Sequence, residues 1–205
     1  MKSFLQFIIE STTEDTHGVL VFGRMNPPTI GHEQVINKVH EVADANNATH
    51  KVVLSHSHDL KKNTLAPEDK VRFAKKAFPG TNIEASSKAK PTILHHASDM
   101  ADSGVTHLHV VAGSDRVGEM STLLHKYNGV PGRHGSYNFN KITVHSAGER
   151  DPDSDDTSGV SGTKMREFAA NGDRSSFHAN LPNNLSPKHR DELFHTLRKS
   201  MGHEE

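Results

Sequence analysis

The sequence contains no cysteine among its 205 residues. This absence excludes disulfide bonds, thiolate nucleophiles and metal sites built from cysteine ligands. A chain without cysteine suits a reducing compartment, so we expect a cytoplasmic protein.

Aromatic rings are also scarce, because the chain has no tryptophan and only 2 tyrosines beside 9 phenylalanines. Tyrosine and tryptophan are the rings that most readily combine apolar contact with a polar tip. The remaining candidates for stacking on a planar ligand are Phe22, Phe73 and Tyr137.

Neither sign of charge dominates, since 24 basic and 25 acidic residues give a net charge of −1. A basic excess would be expected of a protein that binds nucleic acid or an anionic membrane, and we predict neither partner. No apolar run is long enough to span a bilayer or to form a secretory signal. Any charged ligand must therefore be bound by a local site.

One stretch combines the local signals for such a site. The apolar residues 19–22 predict a buried strand, and apolar residues at helical spacing predict a helix that starts near Gly31. The loop GRMNPPTIGH lies between them and contributes Gly23, Arg24 and His32. A helix N-terminus with basic side chains beside it favours a phosphate-bearing ligand. A turn with a purely structural role is the alternative.

Two motifs give this stretch a family resemblance. GRMNPPTIGH is similar to the G-x-[FM]-x-P-x-[HT]-x-G-H signature of the nucleotidyltransferase superfamily, with Met25 in place of the usual aromatic residue and Thr29 at the first histidine. VSGTKMR, at residues 160–166, resembles the second signature of that superfamily, I-S-x-T-x-x-R. The resemblance covers residues 18–172.

The resemblance implies roles for particular residues. His32 would contact the α-phosphate of a nucleoside triphosphate, and Thr29 would contact a neighbouring oxygen. Ser161, Thr163 and Arg166 would contact the β- and γ-phosphates, and their spacing brings two hydroxyls and an arginine to one helix end. The remaining nucleotide-binding positions of the two motifs are Gly23, Arg24, Met25 and Gly31.

Two further loops are candidate ligand loops. Gly113, Asp115 and Arg116 follow an apolar strand, and similar segments contact the nucleotide in the superfamily. Lys62 and Asn63 lie between a strand and a helix that starts at Pro67, where relatives of the archaeal-type nicotinamide-mononucleotide adenylyltransferases bind the acceptor. For the second loop, a pair of solvated lysines without a ligand is an equally good interpretation.

Strands and helices alternate along the chain. Strands are predicted at residues 19–22, 50–55, 82–85, 106–113 and 141–145, with helices between them. This order predicts an α/β, Rossmann-like fold, in which a parallel five-stranded sheet of order 3-2-1-4-5 has helices on both faces. The carboxyl ends of the first and fourth strands then form the topological switch point where ligands bind.

The ends of the chain are predicted to be appendages. Residues 1–17 read as a leader helix and linker, residues 18–172 as the nucleotidyltransferase domain, and residues 173–205 as a helical extension. The triplet ending at Glu10 is similar to the cleavage sites of tailed-phage head proteins, which suggests a phage-encoded protein and a virion location as an alternative. Residues 149–159 read as an acidic flexible loop.

The predicted reaction joins the α-phosphate of a nucleoside triphosphate, ATP by preference, to the phosphate of an acceptor, and pyrophosphate leaves. The motifs resemble most the branch whose acceptor is nicotinamide mononucleotide, and Mg²⁺ is expected with the triphosphate. The alternatives are a cytidylyltransferase acting on a phosphorylated small alcohol and a nucleotide-binding component of a phage head with reduced activity. The sequence leaves open whether the protein forms a homo-oligomer.

The 17 histidines predict no protein metal site, because their spacing matches no common ligand motif. His107 and His109 share one face of a strand, but two ligands do not make a site.

Overall fold

The computed structural model of the chain describes residues 15–148 and 160–203. Its sheet has five strands, all paired in parallel, in the order β3-β2-β1-β4-β5. This confirms the predicted fold class and strand order. The strands are β1 (His17–Gly23), β2 (Thr49–Leu54), β3 (Ile83–Ala85), β4 (His107–Ala112) and β5 (Lys141–Ser146).

Seven α-helices are described around this sheet. Pro67 occupies the first turn of its helix and the Ser161 hydroxyl caps the helix that follows it, as their positions in the sequence predict. The Ser186 hydroxyl caps the last helix. The short helix capped by Asp173 was not predicted, because six residues are too few for a periodic pattern. The helices are α1 (Ile30–Ala45), α2 (Pro67–Ala77), α3 (Ile93–Asp102), α4 (Val117–Tyr127), α5 (Gly162–Ala170), α6 (Arg174–Ala179) and α7 (Pro187–Ser200), and a 3₁₀ helix covers Ser114–Arg116.

The two faces of the sheet bury two separate clusters of apolar side chains. Val19 and Val21 of β1 pack with α1, α2 and the three last helices, whereas Leu20 packs with α3 and α4. Alternation along the strand therefore places helices on both faces, as a parallel sheet requires.

The last two helices contribute to the larger of these clusters. Phe177 of α6 and Leu193, Phe194 and Leu197 of α7 lie in the same cluster as Val19, and each is at most 5% exposed. The predicted extension is thus packed into the core beside α1 and α2.

The structure corrects one prediction made from the sequence, that of the stacking candidates. Phe73 and Tyr137 are core residues, 0% and 2% exposed, and neither ring is available for stacking on a ligand. The buried face of α2 is formed by Lys70, Phe73, Ala74 and Ala77, while Val71 is only half-buried. Among the described residues, no helix is long and apolar enough to cross a membrane. The predicted cleavage site at Glu10 and the acidic loop at residues 149–159 lie outside the described residues.

Candidate active site

A cleft of about 550 Å³ opens at the carboxyl ends of β1 and β4, the predicted switch point. Its size is typical of a small-molecule site. Loops from distant parts of the chain form its walls, and they bring together most of the residues predicted from the two motifs. The predicted residues that line it are Gly23, Arg24, Met25, Gly31, His32, Lys62, Gly113, Asp115, Arg116, Thr163 and Arg166.

The charge of the cleft is strongly one-sided. Among the described residues, four cationic side chains line it, from Arg24, Lys62, Arg116 and Arg166, against the single carboxylate of Asp115. Clefts lined by one sign of charge concentrate ligands of the opposite sign. The chain as a whole is almost neutral, so this excess of positive side chains is a local feature of the cleft.

His32 is held in one tautomer by the start of α1. Its Nδ1 accepts a hydrogen bond from the Thr29 backbone N–H at 2.9 Å, and the Thr29 hydroxyl lies 2.9 Å from the same nitrogen. Because a backbone N–H can only donate, Nδ1 carries no proton, and the neutral ring carries its proton on Nε2. His32 thus takes the place of the glutamate in a capping box and presents a fixed N–H donor.

Thr29 itself does not line the cleft. Its side chain is fully buried, and it is the N-cap residue of α1. The structure therefore brings Thr29 into contact with His32 rather than with the space that a ligand would occupy.

The first turn of α1 is anchored from the far end of the chain. The Ile30 N–H donates to the Asn180 carbonyl at 3.0 Å, and the His32 N–H donates to the Thr29 carbonyl at 2.9 Å. Gly31, between them, lines the cleft. Asn180 could not be predicted from the sequence, because it lies outside both motifs and follows a helix that was not predicted.

Arg166 reaches across from α5 to the loop after β1. Its guanidinium donates to the Asn26 carbonyl and to the Thr163 hydroxyl, both at 2.9 Å. Burial lowers the pKa of Arg166 from its usual value, and the neighbouring positive charge of Arg24 acts in the same direction. A group with so high an ordinary pKa stays charged, and the crowding of two arginines marks a place where an anion would be stabilised.

Gly162 permits that reach. A Cβ at this position would lie 3.0 Å from the Asn26 carbonyl oxygen and 3.3 Å from the Arg166 Nη1. Gly23 differs, because a Cβ there would meet nothing within 4 Å. Since Gly23 lines the cleft, its added side chain would project into the ligand space.

Asn26 is a site residue that the sequence did not reveal. Its side chain is buried, its Nδ2 donates to the Lys62 carbonyl at 2.8 Å, and its Oδ1 accepts from the Leu65 N–H at 3.0 Å. Because its carbonyl also accepts from Arg166, Asn26 connects the loop after β1 with the loop of Lys62 and with α5. Asn26 occupies a variable position of the first signature, so the signature does not identify it as a site residue.

The predicted acceptor loop divides into an exposed and a buried part. Lys62 lines the cleft, whereas Asn63 is buried and donates to Asp59 at 2.6 Å. Asp59 also accepts the backbone N–H groups of Lys61 and Lys62, and these hydrogen bonds lower its pKa well below the usual value. Asn63 therefore shapes the loop from which Lys62 extends.

Lys70 supports the same loop from beneath. Its side chain is fully buried on α2, and its Nζ donates to the Ser55 and Ser57 carbonyls at 3.1 and 2.5 Å. Burial lowers the pKa of Lys70 to about 8. The loop that follows β2 and returns over α2 supplies both of these hydrogen-bond partners.

Ser161 acts as the N-cap of α5. Its hydroxyl accepts from the Lys164 N–H at 3.2 Å, and its exposed side chain is not part of the cleft wall. Of the predicted residues, Thr29, Asn63 and Ser161 thus stand behind or beside the cleft. Phe22, the last stacking candidate, is half-buried and lines the cleft.

Neither protein-family models nor the curated proteins give a match to this chain.

Proposed function

We propose that the protein is a nucleotidyltransferase that binds a nucleoside triphosphate in the cleft at the ends of β1 and β4. The observation that carries this proposal is the environment of His32. Its ring is fixed as an Nε2–H donor at the first turn of a helix, in a cleft lined by four cationic side chains. This combination suits the phosphates of a nucleotide.

The reaction proposed is an in-line displacement. A phosphate oxygen of the acceptor forms a bond to the α-phosphorus, the bond to the bridging oxygen breaks, and pyrophosphate leaves with that electron pair. The lining residues that the structure describes include no serine or cysteine that could act as a covalent nucleophile. Catalysis would therefore come from positioning and from stabilisation of the charge that develops on the phosphates.

Each wall has a task in this reaction. His32 would donate its Nε2–H to an α-phosphate oxygen, and Thr29 would position that ring. Arg166 and Thr163 would bind the β- and γ-phosphates from α5, and Arg116 would bind from the opposite wall. Arg24 and Lys62 would contact the acceptor phosphate or the triphosphate.

The residues present also fit a magnesium ion that arrives with the nucleotide. Mg²⁺ keeps several waters and is commonly held by substrate phosphates and one or two carboxylates. Asp115 is the one carboxylate among the described lining residues, so it would hold such an ion together with the phosphates. When bound, the ion supplies charge neutralisation of the leaving pyrophosphate.

The preferred substrates are ATP and nicotinamide mononucleotide, because the two motifs together are most similar to that branch. A pyrophosphate-release panel tests this choice. It crosses ATP and CTP with nicotinamide mononucleotide, nicotinate mononucleotide, phosphopantetheine, glycerol phosphate and choline phosphate. ATP with a mononucleotide should give the highest rate.

The His32→Ala protein is the matched blank for contaminating activity in this panel. Turnover with CTP alone would replace the preferred substrates by those of a cytidylyltransferase. Tight triphosphate binding without turnover on any acceptor would favour a nucleotide-binding role in a phage particle. Absence of triphosphate binding would reject the proposal.

A further inference from the structure

Three histidines meet on one face of the sheet, at the end opposite the cleft. They are His17 of β1 and His107 and His109 of β4, which lie on neighbouring strands and point to the same side. One ring nitrogen from each lies within 4.8 Å of the others. The sequence showed only the pair in β4, because His17 is 92 residues away from His109.

The contact between His17 and His109 shows how close these nitrogens come. His17 Nδ1 lies 2.9 Å from His109 Nε2, so a single proton is shared between them. The rings of His107 and His109 stack with centroids 4.1 Å apart, and the ring of His17 packs against both. A metal ion could take the place of the shared proton, because both bind the same lone pairs.

The outer nitrogens of the two β4 histidines have partners of their own. His107 Nε2 lies 3.0 Å from the Thr143 hydroxyl, which leaves Nδ1 as its ligand atom. His109 Nδ1 lies 2.9 Å from His145 Nε2, which leaves Nε2. Histidines that bind metals generally use their second nitrogen in this way, and the contact fixes the ring and its tautomer.

The two β4 histidines of the cluster are shielded from water, because His107 and His109 are only 7% and 4% exposed. Their rings are therefore held in place by packing as well as by the contacts of their outer nitrogens.

We propose that His17, His107 and His109 form a zinc site with three imidazole ligands and a fourth position open to water. Imidazole is a common ligand of Zn²⁺, and a tetrahedral ion would set the three nitrogens about 3.3 Å apart. Small rotations of the rings would bring the three atoms to that spacing. His17 is only half-buried, so the open position lies on its side.

The site would tie β1 to β4 rather than take part in the reaction. Val21 lies four residues along β1 from His17, and Val111 lies two residues along β4 from His109, and both line the cleft. At about 3.3 Å a residue, the ion would therefore lie about 7–13 Å from the nearest cleft wall. None of the three histidines lines the cleft itself. β1 and β4 are the two strands whose far ends form that cleft. Zinc bound here would stabilise their pairing and leave the chemistry unchanged.

Zinc binding to the full-length protein tests the proposal. After dialysis against a chelator, titration calorimetry should show one tight Zn²⁺ per chain, and thermal unfolding should move to higher temperature when zinc is added. Co²⁺ in its place should give the intense visible bands of a four-coordinate ion. His17→Gln should weaken zinc binding at least about 100-fold, and Thr143→Val about 10–100-fold.

Two controls separate this site from the other histidines. His125→Gln is the control for His17→Gln, because His125 lies on the exposed part of α4, outside the cluster. His96→Gln is the control for the loss of a buried histidine, because His96 is as deeply buried as His109. Both should bind zinc like the wild type. His17 lies at a strand end and is half-buried, so its variant should fold even where a His109 variant does not.

Equal zinc affinity of the wild type and His17→Gln would overturn the proposal. So would the absence of a tight equivalent, or a cobalt spectrum of six-coordinate type. Because the proposed reaction does not use this site, pyrophosphate release by His17→Gln should match the wild type, and the two proposals can fail independently.

Discussion

His32 is the residue on which the proposed chemistry depends most. Replacing it by alanine removes one donor for the transition state, while Arg166 and the other cationic side chains of the cleft still bind the triphosphate. We expect kcat to fall about 10²–10³-fold with little change in nucleotide affinity. Steady-state kinetics and calorimetry with a non-hydrolysable triphosphate analogue measure the two quantities.

Arg166→Lys is the companion variant. The substitution replaces the planar guanidinium of Arg166, which donates to Asn26 and Thr163, by a single point charge. The affinity for the triphosphate should therefore fall, with a smaller effect on kcat. Turnover by His32→Ala at the wild-type rate would show that this cleft is not the reaction centre.

Thr29 should act through His32. Thr29→Val keeps the shape of the buried side chain and the backbone N–H on His32 Nδ1, and it removes only the hydroxyl. The loss of one hydrogen bond predicts a fall in kcat of roughly 2–10-fold with an unchanged KM. Thr29→Ser should restore the rate, and a large rise in KM for Thr29→Val would instead indicate direct substrate contact.

Two glycines of the cleft should respond differently to alanine. Gly23→Ala adds a Cβ to empty cleft space, so unfolding free energy should stay within about ±0.5 kcal/mol while nucleotide binding weakens. Gly162→Ala presses on Asn26 and Arg166, and it should weaken triphosphate binding roughly 10-fold through the strained hydrogen bond. Calorimetry and urea unfolding of both variants test the contrast. Unchanged nucleotide binding by Gly23→Ala would place the ligand elsewhere.

At the scale of elements, α7 is part of the main core. Leu197 is fully buried in the cluster of β1, and Glu192 pairs with Arg72 and Lys76 of α2. We expect Leu197→Ala to lower the free energy of unfolding by about 2–5 kcal/mol. Leu60→Ala is the matched control, because that leucine is 82% exposed and its loss should cost under about 0.5 kcal/mol.

Urea unfolding followed by circular dichroism measures both leucine variants. A small effect of Leu197→Ala would mean that α7 unfolds separately from the sheet. The anchoring of Ile30 by Asn180 suggests the opposite, since loss of the carboxyl-terminal segment would loosen the start of α1 and with it His32.

At the scale of the whole molecule, buried histidines should make the fold sensitive to acid. Burial lowers the pKa of His50 and His96 below the ordinary 6.5; Glu84 and Asp99 oppose this at His96, and Asp44 opposes it at His50. The unfolded chain therefore takes up protons near pH 6.5 that the folded chain does not. Stability should be full above that pH and decline as the pH falls below it.

Urea unfolding at several pH values between 7.5 and 5, with a chelator present, measures this decline. His96→Gln should flatten it, because glutamine does not titrate. Leu94→Ala, which removes a half-buried apolar side chain from the same helix, should lower stability equally at every pH. An unchanged slope for His96→Gln would show that this histidine is not the source.

The elements and their order could be predicted from the sequence alone. Apolar periodicity marked the strands and the longer helices, and residues such as Pro67 and Ser161 marked helix starts, because both signals act over a few neighbouring residues. Right-handed crossovers then leave few arrangements of five parallel strands. The position of the cleft follows from that order.

Which side chains meet across long sequence distances could be learned only from the folded chain. Asn26 with Arg166, Asn180 with Ile30 and His17 with His109 are pairs that no local pattern connects. The burial of individual side chains also depends on the tertiary structure. From the sequence, Phe73 and Tyr137 could have faced a ligand and Lys70 could have faced water. The physical reason is that a side chain's surroundings depend on what the rest of the chain packs against it, whereas its secondary structure depends largely on its neighbours in sequence.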